Sequence, residues 1–240
     1  MGARYLGVPA TLEARGQYGW RSIKLSLNSG APGFDAGLDS GVLGLDTELD
    51  SDTTRHPRLD DKIIATGLKP LSCGVITYEE WKLGERSMLL RALKYLERYE
   101  AEAGRLVLIG WGLIFDINQI IARAMMYGLL KELDILRRAY KVDLMQIILP
   151  FNGWYYLKSI EMAKLLGIEI PHRNVDIPRL YHEGRYDEIV EHLKADLVFV
   201  EELYLRLRGN WPWTMKDLRS RVLKLSSRWK GHSRWLPEPL

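Results

Sequence analysis

Hydrophobic and polar positions along the 240-residue chain fall into segments of two periodicities. Three short apolar runs open the patterned region: GVLGLDTEL from Gly41, KIIATGL from Lys62 and SCGVITY from Ser72, separated by polar or Gly/Pro turns. Runs of this length between turn signals predict consecutive strands joined as a hairpin meander. The period then changes. ERSMLLRALKYLERYEAEAG, from Glu85, places apolar residues at steps of three and four, which predicts a helix with Gly104 positioned to end it. RLVLIGWG reads as a buried strand, DINQIIARAMMYG as a helix, KVDLMQIIL as a strand with a following turn, and YYLKSIEMAKLLG as a helix ended by Gly167. GRYDEIVEHLKADLVFVEELYLRLR is one long amphipathic helix, with Tyr186, Ile189, Val190, Leu193, Leu197, Val200 and Tyr204 on a single stripe. Three strands followed by helix, strand, helix, strand and closing helices predict an α/β domain, a mixed sheet with helices packed on it.

The flanks differ in composition. Residues 1–40 are Gly-rich and run into the loop-like NSGAPGFDAGLDSG, although WRSIKLSLN alternates as a strand does. Residues 209–240 carry seven Lys/Arg against two acids, a balance of +5, so the total of +3 leaves −2 for residues 1–208. Four of the eight tryptophans (Trp211, Trp213, Trp229, Trp235) lie in that basic segment. Basic residues among aromatics suit a phosphate backbone with stackable bases; a terminal helix packed by its tryptophans is the alternative. The expected organisation is an extension over 1–40 with a strand or hairpin, one domain over 41–208, and a basic Trp-rich segment over 209–240. A hydrophobic content of 47% supports a packed core. No apolar run reaches membrane length, and the opening residues lack the basic start and apolar stretch of a signal peptide, so a soluble cytoplasmic protein is expected. The lone Cys73 can build neither a disulfide framework nor a thiolate metal site, and it reads as a buried strand residue.

The candidate chemistry is acidic. Asp46 and Glu48 stand two apart on the first core strand, so both carboxylates leave the same face, where they repel unless a cation or water separates them. The alternative is a strand that has already ended in a solvated turn, DTELDSD. A calcium loop is excluded by Ser51 at the sharp-turn glycine position and Pro57 at the position of the bidentate Glu. Asp116 follows a strand in GWGLIFDINQ, where the local reading is a helix N-cap with Gln119 completing a capping box. A dinucleotide fingerprint in the same stretch fails at Phe115, which replaces the third glycine. On the last helix, His192 and Asp196 are one turn apart along the edge of the apolar stripe, where a solvated helix edge is the simplest account.

Taken in order, D-x-E on the first core strand, F-D after a later strand, and a polar residue four before an Asp on the last helix resemble the DEDD superfamily of 3′-to-5′ exonucleases. The likeness is closest to the exonucleases related to the proofreading domain of family-B DNA polymerases. It runs from about residue 41 to 208 and is densest in FDINQIIARAMMYG, VDLMQI, SIEMAKLLGI and YHEGRYDEIVEHLKADLVFVEELYLRL. The resemblance implies an RNase H-like fold: a five-stranded mixed sheet, made of a three-strand antiparallel meander plus parallel strands, with helices on both sides. It implies hydrolysis of single-stranded DNA or RNA from 3′ ends with two divalent cations, Mg²⁺ or Mn²⁺. Asp46 would bridge both ions, Glu48 and Asp196 would complete the tighter site, and Asp116 would reach the looser one through water. Asp143, in VDLMQI, reads as a structural residue beside the site.

The chain departs from that pattern twice. His192 stands four before Asp196, where the family usually has Tyr, whereas the histidine subgroup places its His five before, where this chain has Glu191. His192 is expected to accept a proton from the attacking water or to orient it. Gly112 occupies the place of an Asn four before Asp116, which removes a side-chain amide but no metal ligand. A non-catalytic nucleic-acid binding or scaffold protein on the same fold is the alternative. Four retained acids argue against it, because a site freed from catalysis has no reason to keep unpaired carboxylates together.

Overall fold

The computed structural model describes residues 11–16, 19–24, 40–51, 58–148, 159–169 and 175–208. The expected basic segment 209–240 lies outside them. The chain divides into two compact units, Met1–Ser40 and Gly41–Leu240. In the first, β1 (Thr11–Gly16) and β2 (Gly19–Lys24) pair antiparallel as a two-stranded sheet.

The second unit is built on a mixed five-stranded sheet. β3 (Val42–Asp50), β4 (Lys62–Pro70) and β5 (Ile76–Glu79) form the antiparallel meander. A short helix α1 (Glu80–Leu83) and the long α2 (Glu85–Ala103) lead to β6 (Val107–Gly110), which lies parallel to β3 on its other side. α3 (Leu113–Met126) and α4 (Asp134–Arg138) precede β7 (Tyr140–Asp143), parallel to β6. α5 (Leu144–Ile148), α6 (Ser159–Leu166), α7 (Ile177–His182) and α8 (Tyr186–Arg208) follow, and the sheet order is β5-β4-β3-β6-β7. This is the α/β class expected of an RNase H-like fold.

Alternation along β3 sorts the two layers. Leu43, Leu45 and Leu49 pack with Met88, Leu89, Leu93 and Leu96 of α2 and Leu113, Ile117 and Ile120 of α3. The opposite face meets α8. Val42 joins Phe199, Val200 and Leu203, while Ile64 and Ala65 of β4 join Ile189, Leu193 and Leu197. A bulge in the β3–β4 register between Glu48 and Leu49 lets the consecutive residues Ile64 and Ala65 both face that helix.

Glycine sets how closely α8 approaches. A Cβ on Gly67 would stand 2.5 Å from Leu197 Cδ1 and 3.0 Å from Leu193 Cγ, and one on Gly44 3.3 Å from Leu197 Cδ2. Gly67 pairs with Asp46, so this gap lies directly across from the candidate site. Gly67→Val is therefore expected to cost about 1–3 kcal/mol through overpacking and to lift the helix that carries His192 and Asp196. A lowered urea midpoint at an unchanged m-value would show it; an unchanged midpoint would mean that α8 does not depend on the gap.

Three local expectations change. Cys73 is exposed in the turn between β4 and β5 instead of buried in a strand. The turn forms because Ser72 takes a left-handed φ of 60°, its N–H donates to Glu201 Oε1 at 2.6 Å, and Lys69 Nζ donates to the Cys73 carbonyl at 2.7 Å. β7 stops at Asp143 and gives way at once to helix α5. Asp116 is not an N-cap: α3 begins at Leu113 after Gly112, whose φ of 72° is left-handed. Gln119 closes no capping box, since its side-chain N–H donates to the Arg58 carbonyl at 2.7 Å.

Candidate metal centre

β3, β6 and β7 run parallel, and their carboxyl ends open on one side of the sheet, the side where α/β folds place ligands. A cleft of about 430 Å³ lies there. It is lined by Asp46, Thr47 and Glu48 from β3, by Asp116 and the turn before it, by Asp143, Met145 and Gln146, and by Asp196. The four acids singled out in the sequence thus meet on one cavity, delivered by a strand and two helices. His192 does not line the cleft, but its Nε2 lies 3.9 Å from Glu48 Oε1 and 3.7 Å from Asp196 Oδ2.

Each acid arrives by a different device. Asp46 and Glu48 share the α8 face of β3, with Thr47 turned the other way between them. Asp116 sits in the first turn of α3, buried, where its Oδ1 accepts from the Thr47 hydroxyl at 2.6 Å and from the Thr47 N–H at 3.2 Å. One strand residue therefore ties the second acidic motif to the first. Asp143, unassigned to catalysis by the sequence, anchors the turn before α3: its Oδ1 accepts from Gly112 N–H at 3.0 Å and from Met145 N–H at 3.1 Å. His192 and Asp196 project from the same face of α8, one turn apart.

Electrostatically the cluster is frustrated without a cation. Burial, then repulsion from Asp116, Glu48 and Asp196, raises the Asp46 carboxyl well above its usual range. Burial and the charges of Asp196 and Asp116 do the same to Glu48, and burial raises Asp196 despite the opposing pull of His192. Asp116 is pushed up to about 7, chiefly by burial, against the lowering effect of its Thr47 hydrogen bonds. Burial also raises Asp143, against several backbone N–H donors. Glu48 is 8% exposed, and among the described residues no hydrogen bond reaches its carboxylate. Converging, desolvated, weakly partnered oxygens are the donor set that hard divalent cations take, so these residues fit a metal centre. Glu48, His192 and Asp196 each bring one donor atom within 4.8 Å of the other two.

A pH dependence follows. A carboxyl whose folded pKa exceeds its unfolded value contributes stability that is complete below the unfolded pKa, near 3.8, and lost as pH rises through about 7 for Asp116. Asp46, Glu48 and Asp196 act in the same direction. In a chelator, Tm is therefore expected to fall from about pH 5 to about pH 8, and added Mn²⁺ to remove most of that fall. A metal-free Tm that is flat or rises over this window would contradict the arrangement.

No protein-family model and no curated protein matches the chain. Among solved structures, that of the family B DNA polymerase from the hyperthermophilic archaeon Pyrobaculum calidifontis is similar to it, with a TM-score of 0.57 and 16% sequence identity. The match covers 90% of this chain and 31% of the polymerase. The chain thus spans under a third of that protein's length, and at this identity the likeness is one of fold. No helix among the described residues is long and apolar enough to cross a membrane.

Proposed function

We propose that the protein is a metal-dependent 3′-to-5′ exonuclease acting on single-stranded DNA or RNA ends. The observation that carries this reading is the convergence of Asp46, Glu48, Asp116 and Asp196 on one cleft at the carboxyl ends of the parallel strands. Their order along the chain resembles the DEDD exonucleases, and a family B DNA polymerase shares the fold. Two bound divalent cations, Mg²⁺ or Mn²⁺, would make the attacking water more acidic and neutralise charge on the leaving oxygen of an in-line displacement.

The chain's own residues do the rest. Asp46, Glu48 and Asp196 supply the anionic oxygens, and Thr47 fixes the Asp116 carboxylate at the cleft margin. Phe115 and Ile114, 41% and 38% exposed, form an apolar wall on which a terminal base can lie. A cleft of about 430 Å³ has room for one nucleotide. The basic segment 209–240 supplies further phosphate contacts, which would make binding steeply salt-dependent.

The test uses 5′-labelled single-stranded DNA and RNA of one sequence, with Mg²⁺, Mn²⁺ or a chelator. A ladder shortening from the 3′ end and lost with the chelator is expected, and its rate on each strand reports the sugar preference. Intact label with retained binding would leave the non-catalytic binding protein in its place.

A further inference from the structure

The geometry around His192 points to metal ligation and not to proton transfer. We infer that His192 Nε2 is a third protein ligand to the cation held by Glu48 and Asp196, so that this position takes a first-row transition ion in preference to Mg²⁺. The inference rests on the metal centre proposed above and names the ion class it selects.

Three observations converge on it. The first is spacing. Nε2 stands 3.9 Å from Glu48 Oε1 and 3.7 Å from Asp196 Oδ2, both too long for hydrogen bonds. Donors held at about 2.0–2.2 Å around one ion stand roughly 3–4 Å from each other, so the gap between these atoms has the size of a coordinated cation. The second is Glu48 itself, whose side chain is 11% exposed and takes no hydrogen bond among the described residues. A carboxylate so placed, facing a second one across such a gap, has no donor within hydrogen-bond distance among the described residues to offset its burial.

The third is the position of the imidazole. His192 is mostly buried, with 18% of its side chain exposed, and Glu48 and Asp196 line the cleft where it does not. The carboxylates, and not the imidazole, therefore line the space that an attacking water would occupy. Nδ1 is buried without a partner, so no acceptor among the described residues fixes the tautomer. A ligated Nε2 would fix it, with the proton on Nδ1 and no lone pair left to act as a base. An imidazole among the donors shifts preference from Mg²⁺, which is served by oxygen alone, toward borderline ions. The missing acceptor at Nδ1 also means a moderate affinity, because imidazole ligands are strengthened by a hydrogen-bonded partner on the other nitrogen.

The full chain is titrated with Mn²⁺ and with Mg²⁺ by calorimetry, and the Mn²⁺ complex is examined by pulsed EPR, beside His192→Gln. Directly coordinated ¹⁴N modulation is expected in the wild type and absent in the variant, with the Mn²⁺-to-Mg²⁺ affinity ratio falling about tenfold or more. Mn²⁺ bound without ¹⁴N modulation, or with modulation that persists in His192→Gln, would overturn the inference and leave the oxygen-only centre standing. Failure of the wild type to bind either ion would overturn the metal centre as well. If His192→Gln does not fold, His192→Asn replaces it, and absence of modulation in the wild-type spectrum still refutes ligation.

Discussion

Asp46→Asn is expected to raise the stability of the metal-free protein while lowering cleavage about a thousandfold or more. The two effects have one cause. Asp46 faces Asp116, Glu48 and Asp196 from the middle of β3, and burial first, then repulsion from those three, holds its pKa high. An amide of the same shape removes that repulsion and, with it, the oxygen charge a cation needs. The gain is expected to be largest near pH 8 and to shrink as the pH is lowered and the carboxyls protonate. Urea unfolding in a chelator, at two pH values, reads the stability; the labelled-strand assay reads the loss. A variant that is less stable at both pH values, or that cleaves normally, would mean that Asp46 is a structural residue.

The largest stability loss is expected at Glu85. Its side chain is 2% exposed and joins three elements: Oε1 accepts from the Ile63 N–H of β4 at 2.9 Å and from Arg123 Nε of α3 at 2.7 Å. Oε2 accepts from the Arg123 guanidinium and from the Tyr127 hydroxyl, the latter at 2.8 Å. Arg123 also donates to the Asp60 carbonyl at 2.8 Å. Glu85→Ala leaves that guanidinium buried without its carboxylate, at a cost of about 3–5 kcal/mol. The paired replacement Glu85→Leu with Arg123→Met should recover much of the loss, since two apolar groups leave no charge uncompensated. A Glu85→Ala variant within about 0.5 kcal/mol of wild type would show that the pair does not seat α3, the helix that carries Asp116.

Periodicity made much of this fold legible. The alternation of β3, the three-and-four spacing of α2 with its terminal Gly104, and the long run of α8 are local signals, and the structure keeps them. What stayed hidden depended on tertiary partners. Asp116 looked like a cap because D-x-x-Q is a capping pattern, but α3 starts three residues earlier, where Asp143 on a neighbouring strand holds the Gly112 N–H. The apolar stripe on α8 understated its burial: Ala195, Phe199 and Leu203 are also covered, because Leu144 and Ile148 of α5 and Met162, Ala163 and Leu166 of α6 pack over that side.

The site shows the same division. Asp46 and Glu48 are legible because two carboxylates on one strand face repel, whereas Asp116 and Asp196 read locally as a helix cap and a solvated helix edge and stand out only through the order of the four acids along the chain. Trp111, Met145 and Gln146 line the cleft with no pattern of their own, brought there by the parallel order β3-β6-β7. The order of the motifs puts His192 at the site as a proton acceptor or water-orienter, but its approach to Glu48 spans 144 residues of sequence and has no local mark.

The metal centre is tested most directly by diffraction from crystals grown with Mn²⁺, using the anomalous signal of the metal. Occupancy is predicted in the cleft, with a peak within about 2.3 Å of carboxylate oxygens of Asp46, Glu48 and Asp196. A well-ordered cleft with no anomalous peak, or Mn²⁺ bound only elsewhere on the surface, would contradict it.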